Sequence, residues 1–314
     1  MSQFLETQNL IKKYGDLTAV AGISFEIAAG TIFSLLGPNG AGKTTTISML
    51  STLLAPTSGD AFIDGHSITR EPMAVRRLIG LVPQEIALYE DLSALENLNF
   101  WGKMYGLSGR PLAARIDEVL EQVGLRERAK ERIKTFSGGM KRRVNIAAGL
   151  LHKPRLLFMD EPTVGIDPQS RRAILDSVKQ LKAEGITILY TTHYMEEAQE
   201  LSDLVGIIDH GQLIALGTQK ELTKQVGGLD TLTLHLGEQD DPLFLAGLLK
   251  GLDGVLHCDA ADHAVALITP AAEEVLAAVI QEASSHGIRV QSVDLREPNL
   301  EAVFLQLTGR ALRD

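Results

Sequence analysis

Along the first 220 positions, apolar residues fall in short dense runs separated by longer stretches of helical spacing, the pattern of an α/β domain. TIFSLLG, Thr31 to Gly37, predicts a strand buried on both faces. LLFMD at Leu156 to Asp160 and ITILYTTH at Ile186 to His193 predict two more. Thr45 to Leu54 continue in helical fashion after the first strand. Ser93 to Gly106 and Pro111 to Val123 carry helical spacing too, with Ser93 and Glu96 placed as an N-cap pair. Together these predict a helical subdomain over about residues 90–150. GHSITREP and LSGRP read as surface loops, and GTQKELTKQVGG, Gly217 to Gly228, as a hinge whose residues 221–228 form a linker.

Past Gly228 the pattern restarts, which places a first domain at 1–220 and a second at 229–314. Leu232, Leu234 and Leu236 alternate with Thr231, Thr233 and His235, as in a half-buried strand or an exposed hairpin. Helices are expected at Pro242 to Lys250 and Ala271 to Ser285, and strands at Val255 to Cys258, Ala264 to Ile268 and Ile288 to Leu295. The resulting βαββαβ order is that of a small ferredoxin-like α+β domain, followed by a last helix at Leu300 to Leu307.

Composition narrows the function classes. Charged residues make up 22% and hydrophobic ones 45%, as in a globular protein. No run of about 18 apolar residues appears, and MSQFLETQNLIKKY lacks the order of a signal peptide, so a cytoplasmic chain is expected. Cys258 is the only cysteine, which leaves no intrachain disulfide and no cysteine-rich zinc site. Of the net charge of -10, residues 221–314 carry -9 (6 Lys/Arg against 15 Asp/Glu). Without a basic stripe to neutralise phosphates, no nucleic-acid partner is expected.

Gly37-Pro-Asn39-Gly40-Ala-Gly42-Lys43-Thr44-Thr45 fits the Walker A pattern between a strand and a helix, where glycines let backbone N–H groups wrap phosphates. Lys43 would face the β- and γ-phosphates, Thr44 a Mg²⁺ ion, and Thr45 the α-phosphate. Leu156 to Glu161 fits Walker B, although apolar runs ending in acids also occur as surface turns. Asp160 would hold Mg²⁺ through water, and Glu161 would polarise the attacking water. Ser137-Gly138-Gly139 opens a helix, where it could also act as a plain N-cap.

TFSGGMKR, Thr135 to Arg142, lying about 20 residues before Walker B, resembles the signature of the ATP-binding cassette (ABC) family of P-loop NTPases, with Met140 where that family commonly has Gln. The resemblance covers roughly residues 4–220. It implies that Tyr14 stacks on adenine and that Gln84 senses Mg²⁺ and the γ-phosphate. It further implies that Asp167 belongs to the D-loop and that His193 is the switch histidine. EPNLEAVFLQLTG, Glu297 to Gly309, resembles the ending of ATPase subunits of ABC-2-type exporters serving drugs, polysaccharides or cytochrome biogenesis.

With one cassette in the chain, the resemblance implies an ATP- and Mg²⁺-dependent homodimer in which Ser137, Gly138 and Gly139 of one copy complete the site of the other. It also implies a separate membrane permease, met near the segment from Glu85 to Trp101 on the cytoplasmic face of the membrane. In that segment Tyr89 and Leu92 are the expected contacts, and Phe100 and Trp101 serve equally well as core. The competing expectation is a soluble ABC ATPase acting on ribosomes, nucleic acid or cluster assembly.

Overall fold

Ile32–Leu36, Thr187–Thr192 and Leu156–Asp160 are buried at every position, as strands covered on both faces by other layers must be. They lie side by side in the computed structural model, which describes residues 3–225, 229–237, 239–261, 263–296 and 300–308. Their sheet runs in the order Gln212–Gly217, Leu204–Asp209, Ile32–Leu36, Thr187–Thr192, Leu156–Asp160, Ile79–Val82. All neighbours are parallel except Gln212–Gly217, which pairs antiparallel with Leu204–Asp209. The loops after three adjacent parallel strands therefore open at one edge, where α/β sheets place ligands.

A second, antiparallel sheet packs into the same unit. Gln3–Tyr14 pairs with Leu17–Ile23, Glu26–Ala28 and Ser58–Ile63. Its apolar residues Phe4, Leu5, Leu10 and Phe25 join Phe33 and Phe158 in one core. Sequence pattern did not reveal this sheet, because bulges and the left-handed Asn9 (φ 48°) interrupt the period-2 alternation along its first strand.

The expected helical part consists of Ala94–Met104, Gly109–Gln122 and Gly138–Leu150, packed through Leu98, Leu112, Ile116, Val119 and Val144. Ser93 and Glu96 form the reciprocal cap read from their spacing. GHSITREP departs from a plain loop: His66–Ser67 pairs with the preceding strand, and Pro72 starts a helix through Leu78.

The chain divides into two units, one running to Thr218 and the other starting at Gln219. In the segment expected as a linker, 221–228, the residues as far as Gln225 belong to a helix, Gln219–Gln225, while 226–228 lie outside the described residues. Its lysines, glutamate and glutamines favour helix once Leu222, fully buried, anchors one face.

Within the second unit the strand order is His257–Ala261, Ala264–Thr269, Asp230–Leu236, Val290–Arg296, with every neighbour antiparallel, the ferredoxin-like arrangement. Leu232, Leu234 and Leu236 face inward onto Leu245 and Leu249 of Pro242–Leu249 and Val275 and Val279 of Ala272–Ser285. The strand expected at Val255 to Cys258 begins later, at His257. The last helix spans Leu300–Thr308.

Candidate functional site

The turn from Ile32–Leu36 into the helix Lys43–Leu50 carries the Walker A residues. Gly42 has φ 106°, and a Cβ there would come within 2.6 Å of the Ala19 carbonyl oxygen, so both conformation and space demand glycine. Lys43 is 4% exposed. Its ammonium donates to the carbonyls of Gly37 (2.7 Å) and Pro38 (2.9 Å) and lies 2.9 Å from Glu161 Oε1.

Glu161 follows the Walker B strand with φ 43°, a left-handed conformation rare for a non-glycine residue and of the kind that collects at functional sites. Its amide bonds to the carbonyl and hydroxyl oxygens of Thr191, which hold the turn. His193 Nδ1 approaches Glu161 Oε2 to 3.3 Å without hydrogen-bond alignment and so stays a buried, unpaired nitrogen. Gln84 Nε2 reaches the same oxygen at 3.4 Å.

A cavity of about 410 Å³ brings together Asn39, Gly40, Gly42, Lys43, Thr44, Thr45, Gln84, Glu161 and His193, all singled out from sequence, and adds Ala19 and Val164. Asp160 sits just beneath, 3% exposed, accepting a 2.7 Å hydrogen bond from Thr191. Burial pushes its carboxyl above the usual aspartate range, partly countered by the hydroxyls of Thr191 and Thr44.

Thr44, Asp160 and Gln84 offer hard oxygen donors and few of them, which fits a Mg²⁺ ion that keeps its waters and shares substrate phosphates. Among the described residues no cluster of three His, Cys, Asp or Glu forms a protein-only metal cage.

Four expected residues and the adenine candidate stand apart from this cavity. Ser137 caps the helix Gly138–Leu150, accepting from the Met140 amide, and Asp167 caps Pro168–Ala183, accepting from Ser170 at 2.9 Å. That amide holds the Asp167 carboxyl below its ordinary range. A Cβ on Gly139 would lie 2.2 Å from Ser170 Cβ, so this glycine lets the two helix starts meet. Gly138 is adjacent. Tyr14 ends its strand 49% exposed, beneath the Lys12 ammonium 5.2 Å from its ring. Met140 is 9% exposed in the helical core, with Arg128 Nη1 at 3.2 Å from its sulfur.

Sequence reading missed the layer behind the site. Arg142, 4% exposed, donates to the carbonyls of Pro83 and Gln84, and Asn145 bonds the same segment at Glu85 and Ala87. Glu197 gathers the hydroxyls of Thr163, Tyr190 and Thr192. Helical charge spacing could have flagged both as inward-facing, but their partners are remote in sequence.

A second cavity, about 430 Å³, is lined by Leu53, Arg76, Leu81, Pro83, Trp101 and Tyr105, among others. Trp101 belongs to this groove, with a buried indole N–H that has no partner, whereas Leu92 does not line it; Tyr89 and Phe100 lie 51% and 37% exposed with rings 5.1 Å apart.

The ABC transporter family profile matches residues 20–164. Over 99% of this chain and all of the relative, identity is 50% to the linearmycin resistance ATP-binding protein LnrL of Bacillus subtilis (strain 168). The chain belongs to the ABC transporter family. This ABC subunit is an ATP-binding ATPase chain, and it is 38% identical, over the full length of both, to the Nod factor export ATP-binding protein I of Cupriavidus metallidurans. It is also similar (TM-score 0.62, 27% identity, 68% of this chain and 98% of the other) to an ATP-binding cassette solved as a dimer in a post-hydrolysis state with ADP and Pi.

Proposed function

We propose that this ABC subunit hydrolyses Mg²⁺-ATP in a homodimer and so drives export through a separate membrane permease. The observation that carries the site assignment is the convergence of Lys43, Gln84, Glu161 and His193 on one cavity while Ser137 and Asp167 cap helices outside it. In this reading each place is half of a site. Two copies arranged head to tail would set Ser137, Gly138 and Gly139 of one against the γ-phosphate held by Lys43 of the other, with Asp167 crossing the boundary.

In this reading Gly37, Asn39, Gly40, Gly42 and Thr45 cradle the phosphates with their backbone and hydroxyl donors. Tyr14 stacks on adenine from its exposed strand end. Thr44, Asp160 and Gln84 hold Mg²⁺, which when bound supplies charge neutralisation between the phosphates. Glu161 accepts the proton of the attacking water, and His193 meets the γ-phosphate with its unpaired nitrogen. Residues 1–220, with the helical part at about 90–150, form the ATPase domain, and 229–314 an accessory domain.

Among the described residues no helix is long and apolar enough to cross a membrane; in this reading the solute path belongs to a separate permease. The groove beside Trp101 and Pro83 suits an apolar helix end of such a permease, which would hold the chain at the cytoplasmic face of the membrane. The names of the relatives, linearmycin resistance and Nod factor export, support export over ribosome or nucleic-acid work. The test is affinity purification of the full chain from detergent-solubilised membranes. Recovery of an integral membrane protein that stimulates its ATPase is the expected result, whereas recovery of nucleic acid with stimulation by it would overturn the export reading.

A further inference from the structure

Glu197 is 2% exposed on the helix Met195–Leu201 and touches three segments at once. Its Oε1 accepts from the Thr163 hydroxyl at 2.6 Å, and its Oε2 from Tyr190 and Thr192 at 2.9 Å each. The Arg171 guanidinium lies 3.6 Å away and covers the Tyr194 ring at 4.3 Å. Burial, with Glu197 alongside, pushes the Tyr190 phenol well above its ordinary range, so it stays a donor.

Thr163 stands two residues after Glu161, and Thr192 one residue before His193. The Thr192 hydroxyl donates to Glu197 and accepts from the Tyr194 amide at 2.9 Å, which closes the turn around His193. On the opposite face of the same strand, Thr191 bonds Asp160 and the Glu161 amide. The two groups aimed at the γ-phosphate position thus share one fastening point. For packing alone an apolar side chain would serve better, since a carboxyl group is costly to bury unless its acceptors are all used.

We propose that Glu197 is a positioning residue that fixes the separation of Glu161 and His193 and ties both to the start of the helix Pro168–Ala183 through Arg171. It touches no reacting atom. The inference rests on the site assigned above. A shift of either group by a fraction of an ångström alters alignment for hydrolysis while leaving the Walker A loop, and therefore ATP capture, as it was.

The experiment is steady-state Mg²⁺-ATPase kinetics of the full chain for Glu197→Gln, Thr163→Val, Thr192→Val and Thr163→Ser, each normalised to its folded fraction by circular dichroism. Glu197→Gln and both valine variants are expected to lose about 10- to 100-fold in kcat with KM for ATP within about threefold of the parent. Thr163→Ser, which keeps the hydroxyl, is expected to return kcat to within about twofold. A folded Glu197→Gln chain with parental kcat, or a rise in KM at constant kcat, would overturn the proposal. Should Glu197→Gln fail to fold, the Thr163 pair decides: equal impairment by serine and valine overturns it. Absence of hydrolysis in the parent chain would instead count against the site assignment itself.

Discussion

Lys43 Nζ and Glu161 Oε1 lie 2.9 Å apart, so the ammonium and the acid of the site are partners within one chain. The Lys43 ammonium has three hydrogens, and Gly37, Pro38 and Glu161 occupy all three directions. A γ-phosphate that reaches Lys43 has to displace one of these acceptors, and Glu161, the one with a negative charge, is the competitor that repels it. Glu161→Gln weakens that competition and, on the proposed assignment, removes the group that polarises the attacking water. It is expected to bind ATP at least as tightly as the parent while hydrolysing it about 10²- to 10⁴-fold more slowly, checked by filter binding and phosphate release. Unchanged phosphate release would refute the role of Glu161.

If Asp160 holds Mg²⁺ as proposed, its burial sets stability against activity. Burial raises its carboxyl pKa in the folded chain, so the native state holds that proton to higher pH than the unfolded state does. Stability from this group therefore falls as pH rises above the usual aspartate value of about 3.9, and the loss is complete above the folded value. Asp160→Asn should melt higher than the parent at pH 7 in nucleotide-free buffer, with the gap closing toward acid pH, and should lose Mg²⁺-dependent activity. A variant that melts lower at pH 7 would contradict this.

Arg142 ties the helix behind Ser137 to the segment carrying Gln84. Replacing it by Ala strands the carbonyls of Pro83 and Gln84, which should cost about 2–4 kcal/mol in urea unfolding and slow hydrolysis through misplaced Gln84. A loss under about 0.5 kcal/mol would show that the contact is replaceable.

Cys258 offers a check on the second unit. It is fully buried, and burial pushes its thiol up to about 11. Iodoacetamide at pH 8 should leave it unmodified in the native chain and label it fully in denaturant, as read by mass spectrometry. Rapid native labelling would mean that the core around Leu232 and Leu267 opens.

Much of this was readable from local pattern. Leu232, Leu234 and Leu236 announce an inward strand face because alternation and burial share one period, and Ser93 with Glu96 announces a cap because its chemistry lies within four residues. Walker A was legible for the same reason. Glu197 and Arg142 were not, since each earns meaning only from hydroxyls or carbonyls brought to it by distant segments. The strand Gln3–Tyr14 was obscured by its bulges, and the helix Gln219–Gln225 by flanking glycines that suggest a hinge.

The central claim is that Lys43 and Ser137 act on one nucleotide from two copies of the chain. It is tested most directly by measuring mass in solution, by light scattering, for Glu161→Gln and for the same variant carrying Ser137→Glu, each with and without Mg²⁺-ATP. The first should shift from 34.0 kDa to twice that mass on adding ATP, and the second, which sets a carboxylate against the phosphate, should still bind ATP and remain at 34.0 kDa. A chain that stays single with ATP bound, or a dimer indifferent to Ser137→Glu, would contradict it.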